Sequence, residues 1–127
     1  VDLFTKVLPN IIYDFNNQSV IMCLTQKLFQ ETGTSPEDAI GFVGYLNTID
    51  CIKIAVVMQE RQPNVFHCSI RTRELSAQNV GKYFGGGGHP KASGCRIYRG
   101  KNTAIKMMRE AIKQELVRSG NWKEQAE

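Results

Sequence analysis

The sequence predicts a single mixed α/β domain (α+β), with one sheet of roughly five strands and helices packed on its faces. Segments whose apolar side chains alternate every second residue are interleaved with segments that repeat apolar residues every three or four positions. The chain has 127 residues, enough for one hydrophobic core but not for two. Its 42% apolar and 22% charged residues are typical of a folded globular domain.

Residues 1–25 are predicted to form a short helix followed by a hairpin. Apolar residues at helical spacing favour a leading helix over residues 1–8. The apolar and aromatic stretch 11–15 and the alternating stretch 19–25 favour two strands, with Asn16 and Asn17 in the turn between them.

The middle of the chain is predicted to supply two helices and a central strand. A helical segment is expected over residues 26–32. Ser35 then stands at an N-cap position with Pro36 after it, so a second helix is expected to continue through Leu46. Residues 51–58 form a nearly continuous apolar run, which predicts a strand buried on both faces. A turn is expected to follow at residues 61–64.

Residues 65–73 alternate between two chemistries, which predicts a strand with one buried face. The core side carries Phe66, Cys68 and Ile70. The side chains of the opposite side are His67, Ser69, Arg71 and Arg73. Guanidinium groups bind phosphate oxygens in pairs, so Ser69, Arg71 and Arg73 are predicted to bind an anion. His67 is expected to be no more than a polar residue on a wet face.

The last third of the chain predicts a helix, a loop, a strand and a long helix. Ser76 caps the first helix, which is expected to reach Phe84 and to end at Gly85 in the left-handed conformation. A strand is predicted over residues 95–99. The final helix has an apolar stripe that consists of Ile105, Met108, Ile112 and Leu116.

The loop between these elements, residues 85–94, reads Gly-Gly-Gly-Gly-His-Pro-Lys-Ala-Ser-Gly. Glycine loses more backbone freedom on folding than any other residue, so four in succession indicate a need for bare backbone. Successive N–H groups without side chains can converge on an anion, which predicts a phosphate-binding nest. The alternative is a flexible linker, which the ordered-looking sequence on both sides disfavours.

Charge is divided unevenly along the chain. Residues 1–60 carry three Lys and seven acidic residues, a net charge of −4, whereas residues 61–127 carry thirteen Lys and Arg and five acidic residues, a net charge of +8. The basic second half predicts an anionic partner, either nucleic acid or phosphate. Five of its cations surround the glycine loop in the sequence, namely Arg71, Arg73, Lys91, Arg96 and Arg99.

No metal site is predicted in this chain. Its only histidines are His67 and His89 and its Asp residues are scattered, whereas a two-metal hydrolytic centre needs several converging carboxylate and imidazole ligands. The four cysteines form no C-x-x-C pair and nothing marks the chain as secreted, so reduced thiols and a cytoplasmic location are expected. No apolar run is long enough for a membrane span.

The glycine loop and the preceding strand resemble the DHH-associated domain of the DHH phosphoesterase superfamily. Residues 86–94 match every fixed position of its Gly-Gly-Gly-His-x-x-Ala-x-Gly motif. Ser69-x-Arg71, with a second basic residue two positions on, is similar to the nano-RNase branch. Enzymes of that branch degrade very short oligoribonucleotides, and some remove a phosphate from 3′-phosphoadenosine 5′-phosphate. The resemblance covers residues 18–115.

This resemblance implies that residues 18–120 form a substrate-binding domain of a longer protein. Residues 1–17 would then be a linker and leading helix from an N-terminal catalytic domain, and residues 121–127 a loose tail. Manganese is implied on that N-terminal DHH domain, with no cofactor bound by this chain. The implied partners are short single-stranded RNA or nucleotide phosphates and the DHH domain of the same polypeptide, with no membrane.

The resemblance also implies a set of residues that bind substrate phosphates. They are Ser69, Arg71, Arg73, Gly86, Gly87, Gly88, His89, Lys91, Ala92, Ser93 and Gly94. His89 could instead assist as a general acid, because imidazole titrates near neutral pH. Two other functions remain open: an RNA-binding module like the C-terminal domain of alanyl-tRNA synthetases, and a cyclic-dinucleotide phosphodiesterase domain.

Overall fold

One sheet of six strands organises the residues that the computed structural model describes, which are 3–7 and 10–122. The strands are β1 (Ile12–Asp14), β2 (Ser19–Leu24), β3 (Ile54–Gln62), β4 (Val65–Thr72), β5 (Gly87–His89) and β6 (Ala92–Ile97). Their order is β1-β2-β3-β4-β6-β5, with β2 and β3 parallel and the other neighbours antiparallel. The predicted mixed α/β class is confirmed, and the sheet has one strand more than the five expected.

The helices are α1 (Leu3–Val7), α2 (Gln26–Thr32), α3 (Phe42–Leu46), α4 (Ala77–Lys82) and α5 (Lys101–Arg118). The helix predicted to start at Ser35 is divided. Its first part is a 3₁₀ turn, Pro36–Ala39, with the side chain of Asp38 accepting the Ser35 N–H at 2.8 Å. Two glycines in the next six residues, Gly41 and Gly44, disfavour a continuous helix. The predicted buried face survives the break, since Ala39 and Val43 are both in the core.

The central strand lies later in the chain than predicted. It starts at Ile54, while Cys51 lies in an exposed turn with φ 73°. It also continues through Gln62, because pairing with β4 extends past an irregularity between Glu60 and Gln62. Arg61, predicted in a turn, therefore lies on the strand, and the turn itself is tight around residues 63–64. The prediction of burial on both faces is confirmed for residues 54–59.

The glycine-rich segment is a β-hairpin and not the irregular loop that was expected. Residues 87–89 form β5, and its partner β6 begins at Ala92, three residues before the predicted strand. The helix before it, α4, is capped by Ser76 as predicted, and Gly85 has φ 78°, the left-handed conformation expected at the helix end. Of the four glycines, only Gly85 was assigned a conformation from the local sequence, and the structure confirms it.

Helices cover the two faces of the sheet unequally. On one face, α4 and α5 bury Ile21, Val56 and Ile70 in a core that spans β2, β3, β4 and β6. On the other face, α1, α2 and α3 pack mainly over β2 and β3, at residues such as Met22 and Val57, and α3 also approaches β4. The rest of this second face is formed by β4, β6 and β5, and none of its residues belongs to the core that these helices cover. We call this part the open face.

The residues that follow α5 fold back against the end of this helix and the start of the sheet. The amide of Asn121 donates to the carbonyl of Leu116 at 2.8 Å, and the ring of Trp122 packs edge-on against Phe15 at 5.5 Å between centroids. The tail predicted over residues 121–127 otherwise lies outside the described residues, as do residues 1, 2 and 8 of the predicted leading helix. No helix within the described ranges is long and apolar enough to cross a membrane.

Candidate phosphate-binding face

Three rows of residues cross the open face from β4 through β6 to β5, in the register of the strand pairing. The first row consists of Arg71, Ala92 and His89, the second of Ser69, Gly94 and Gly87, and the third of His67 and Arg96. The second row has only small side chains, so it forms a trough between two rows that carry basic side chains. The rows contain no acidic residue, and the face is therefore suited to an anionic ligand.

The two arginines predicted to project side by side do not do so. Arg71 lies on β4, half-buried on the open face, where its guanidinium donates to the carbonyl of Ile70 at 3.0 Å. Arg73 lies beyond the end of β4, and its guanidinium donates to the carbonyl of Ile49, after α3. The backbone N–H of Arg73 donates to the carbonyl of Lys53 at 3.3 Å, one residue beyond the last pair of β3 and β4. Arg71 therefore faces the glycine hairpin, while Arg73 is directed to the edge of the face.

Close packing explains two of the four glycines. A Cβ atom on Gly86 would lie 2.3 Å from the carbonyl oxygen of Gly94, and one on Gly88 would lie 2.9 Å from that of Ala92. Gly88 also has φ 146°, a conformation that side chains disfavour. Gly87 differs, since a Cβ there meets no atom within 4 Å. Its bare backbone is not needed for packing, and it lies on the floor of the trough.

The expected convergent nest of N–H groups is not formed by residues 86–88. The N–H of Gly86 donates to the carbonyl of Gly81 at 3.0 Å, so it is occupied within the protein. Gly87 and Gly88 belong to a strand that pairs with β6 on one side only. In an antiparallel pair, successive N–H groups alternate between the partner strand and the free edge. The edge of β5 is therefore the part of the run that can donate backbone hydrogen bonds to a ligand.

The tip of the hairpin is anchored to the N-terminus of α4. The carbonyl of Pro90 accepts the N–H of Ala77 at 2.7 Å, and the carbonyl of Lys91 accepts that of Thr72 at 3.1 Å. The hydroxyl of Ser93 donates to the carbonyl of Ala77. Ser93 is buried on the helix-covered face, away from the trough, and so its hydroxyl holds the hairpin rather than facing a ligand.

A buried carboxylate on α5 holds α4 in place in turn. Glu115 is buried, and its oxygens accept the N–H of Ser76 at 2.7 Å, the amide of Asn79 at 3.2 Å and the guanidinium of Arg118 at 2.6 and 2.7 Å. Burial alone would raise the pKa of Glu115, but these hydrogen bonds outweigh it and hold the pKa below its usual value. The hairpin is thus positioned by α4, and α4 by the charge of Glu115.

His89 is exposed at the end of the first row, with its ring orientation set by the hairpin. Its Nδ1 accepts the N–H of Lys91 at 3.1 Å, so in the neutral ring Nε2 carries the proton. That arrangement presents an N–H donor to a ligand on the open face. Lys91 is exposed in the turn of the hairpin and adds positive charge beside it.

A set of residues at the other end of the face was not among the predicted site residues. Arg61, His67, Arg96 and Tyr98 line a cavity of about 580 Å³. The rest of its lining consists of Cys68, Ser69, Phe84, Gly85, Gly86, Gly94 and Cys95. The sequence indicated that Arg96 is a cation near the glycine loop and that His67 lies on the polar side of its strand. It did not indicate that the two side chains lie in the same cavity. Arg61 was missed because it was assigned to a turn. We call this cavity the lateral pocket.

The structure brings no metal-ligand cluster together in the ranges it describes. Residues 3–7 and 10–122 contain no group of three or more His, Cys, Asp or Glu side chains that could hold a metal ion. All four cysteines are free, with Cys23, Cys68 and Cys95 buried and Cys51 exposed.

Comparison with known proteins shows relatives that share this domain. The DHHA1 domain family matches residues 17–117. The bifunctional oligoribonuclease and PAP phosphatase NrnA of Thermus thermophilus is 31% identical over 121 residues, which are 93% of this chain and 35% of that protein. The probable bifunctional oligoribonuclease and PAP phosphatase NrnA of Streptococcus mutans is 26% identical over 92 residues, 72% of this chain and 29% of that protein. The chain thus spans about a third of the length of these relatives.

Solved structures share the fold at lower identity. An exopolyphosphatase-related protein from Bacteroides fragilis superimposes with a TM-score of 0.82 at 22% identity, over 93% of this chain and 35% of that one. The pGpG-specific phosphodiesterase PggH from Vibrio cholerae gives a TM-score of 0.55 at 17% identity, over 91% of this chain and 38% of that one. In both, the similarity covers a little over a third of the larger protein. The chain belongs to the DHHA1 domain family, in the DHH-associated branch that includes the NrnA proteins.

Proposed function

We propose that this chain is the substrate-binding domain of a phosphoesterase that hydrolyses short oligoribonucleotides, and also 3′-phosphoadenosine 5′-phosphate. The observation that carries the proposal is the open face, where Arg71 and His89 flank a trough of small residues with no acidic side chain in its three rows. The names of the NrnA relatives supply the activity and the substrate class. Because the chain spans about a third of those proteins, the hydrolytic centre is assigned to a DHH domain elsewhere in a longer, cytoplasmic polypeptide.

In this proposal, the chain holds the phosphates of the substrate while the other domain cuts. Arg71 pairs with a phosphate oxygen, and the hydroxyl of Ser69 and the Nε2–H of His89 donate hydrogen bonds to the same group. The free edge of β5 adds backbone N–H donors, and Lys91 contributes positive potential. The DHH domain would hold divalent manganese, which activates water and polarises the scissile phosphate when bound.

The hydrogen bond from Lys91 favours a donor role for His89 over a role as general acid. A protonated ring would carry a hydrogen on Nδ1, which would point at the N–H of Lys91 and remove the bond of 3.1 Å between them. The neutral ring keeps this bond and still presents Nε2–H to a phosphate oxygen. His89 is therefore assigned to binding and orientation of the substrate.

His89 is tested by substitution in a protein that also contains the DHH domain. His89→Ala is expected to lower kcat/KM for a diribonucleotide at least tenfold, equivalent to about 1.4 kcal/mol of transition-state binding. Lys106→Ala is the control, because Lys106 is exposed on α5, which covers the opposite face of the sheet. Unchanged kinetics for His89→Ala, with an intact fold, would remove His89 from the site.

Arg71 is tested through the salt dependence of binding. Arg71→Ala should weaken binding of the diribonucleotide and make the slope of log K against log salt shallower by about 0.7, the change for one phosphate contact on a single strand. The same titration with folded tRNA distinguishes the phosphoesterase proposal from the alternative of an RNA-binding module. A preference for tRNA over di- to pentanucleotides would overturn the phosphoesterase proposal in favour of an RNA-binding module.

The location of the metal centre has its own test. This chain alone, supplied with manganese and a diribonucleotide, should show hydrolysis no faster than the background rate. Robust turnover by the isolated chain would refute the assignment of the catalytic centre to another domain.

A further inference from the structure

The lateral pocket carries positive charge at a distance from the proposed phosphate site. His67 and Arg96 form the third row of the open face, and Arg61 lies at the end of β3 beside them. His67 and Arg71 are four residues apart on β4, which corresponds to about 13 Å along a strand. A single phosphate bound at Arg71 does not reach Arg96, whereas a chain of two nucleotides can extend over both.

The two guanidinium groups of the pocket are not neutralised by the protein. Among the described residues, neither Arg61 nor Arg96 forms an ion pair, and the pocket lining contains no acidic residue. Two exposed, unpaired guanidiniums in one concave site favour a phosphate ligand.

His67 lies beside both guanidinium groups of the pocket. Burial lowers the pKa of His67, and the charges of Arg96 and Arg61 lower it further. His67 is therefore neutral at pH 7, and the positive charge of the pocket comes from the two arginines. A neutral imidazole between them can still donate or accept a hydrogen bond.

An exposed aromatic ring completes the pocket. Tyr98 is 58% exposed. It lies just after β6 and two residues beyond Arg96, a spacing that places both side chains on the same side of an extended chain. Phe84 also lines the pocket, and it packs against Tyr83 with 4.9 Å between ring centroids. Exposed aromatic rings beside cations are the usual platform for an unpaired base. Ser69 and Gly94 belong to both the trough and the pocket, so one ligand can pass from one to the other.

We propose that the lateral pocket is a second nucleotide subsite, in which Arg61 and Arg96 bind the phosphate and Tyr98 stacks on the base of the nucleotide adjoining the one held at Arg71 and His89. This proposal rests on the proposed function, since it extends the same ligand along the open face. It assigns the preference for a dinucleotide over a mononucleotide to this chain rather than to the hydrolytic domain.

The test compares two probes, AMP and the 5′-phosphorylated dinucleotide pApA, in titrations of the chain followed by ¹⁵N–¹H spectra. These spectra report weak binding, the residues affected and the integrity of the fold together. The wild-type chain is expected to bind pApA at least tenfold more tightly than AMP, with signals of residues 96–98 moving only with pApA. Arg61→Gln with Arg96→Gln should lower the affinity for pApA about tenfold and leave that for AMP within twofold. Tyr98→Leu should lower it at least fivefold.

Each outcome decides between the two sites. Equal wild-type affinity for both probes would overturn the second subsite. So would a folded double variant that binds pApA with wild-type affinity, or one whose affinities for AMP and pApA fall by the same factor. If Arg71→Ala leaves AMP binding unchanged while the pocket variants weaken pApA, the site at the hairpin fails and the lateral subsite stands. If neither probe binds, both proposals fail. Lys106→Ala, which removes one positive charge from the opposite side, should change neither affinity.

Discussion

Substituting alanine at two adjacent glycines separates the packing role of the hairpin from its role on the open face. In Gly86→Ala, the new Cβ would lie 2.3 Å from the oxygen of Gly94 and 2.9 Å from the Cβ of Cys95, where ordinary contact starts near 3.4 Å. Both obstructing groups are held in β6, so the strands must separate by about 1 Å. Overpacking of this kind costs about 1–3 kcal/mol. Weakening the bond from the Gly86 N–H to Gly81 adds about 1 kcal/mol.

Gly87→Ala is the matched control, because its Cβ meets no atom within 4 Å and its φ is not positive. Loss of freedom in the unfolded chain should make this variant as stable as wild type or more stable, by about 0.4–1 kcal/mol. Thermal unfolding followed by circular dichroism measures both. At about 4 °C per kcal/mol for a domain of this size, Gly86→Ala should melt about 8–16 °C lower than wild type. A Gly86→Ala variant that melts within 2 °C of wild type would refute the close approach of the two strands.

Three further predictions concern the trough, the carboxylate of Glu115 and the cysteines. Gly87→Ala should weaken AMP binding severalfold although its fold is intact, since its methyl group would stand in the trough; wild-type affinity would place the ligand elsewhere. Because the pKa of Glu115 is held below its usual value in the folded state, its contribution to stability is complete above about pH 4.5 and is lost as the pH falls through the lowered pKa. Glu115→Gln should accordingly reduce the free energy of unfolding, measured in urea, by about 1.5–3 kcal/mol at pH 7, and this difference should shrink as the pH is lowered from 4.5 through the lowered pKa; a difference independent of pH would contradict this. A thiol reagent at pH 8 should label Cys51 first and Cys23 only on unfolding, since burial raises the pKa of Cys23 to about 11; early labelling of Cys23 would show that the core opens readily.

Local patterns predicted most of the sheet correctly, because each strand shows its environment in its own side chains. The alternation of Phe66, Cys68 and Ile70 against polar neighbours identified both the strand and its buried face, and the structure buries all three. The nearly continuous apolar run of residues 51–58 indicated a strand covered on both sides, although the strand starts and ends later than predicted. These are properties of sequence neighbours a few residues apart.

The glycine hairpin could not be predicted in this way. Glycine is depleted in strands, so residues 87–89 have no local preference for one. They form β5 because Gly86 and Gly88 allow close approach to residues of β6, and because Pro90 and Ser93 bond to Ala77 in the preceding helix. Those contacts connect segments that the chain brings together only in three dimensions.

The chain's chemistry, by contrast, is determined by the sequence itself. The strand with Ser69 and Arg71 and the run of glycines before His89 indicated a domain of the DHH-associated type, and the family comparison assigns the chain to that family. The phosphate-binding role of these residues stays a prediction. Tertiary structure alone decided which of these residues share a surface. The guanidinium of Arg73 donates to the carbonyl of Ile49, and the hydroxyl of Ser93 is buried on the covered face.

Tertiary structure also decided where the open face ends. Arg61 and Arg96 are 35 positions apart in the sequence, and they meet in the lateral pocket because β4 lies between β3 and β6 in the sheet. The face is open because α1, α2 and α3 pack mainly over β2 and β3. A residue's chemistry is carried by its side chain, but the neighbours that give it a function are set by strand order and helix placement, which depend on contacts distant in sequence.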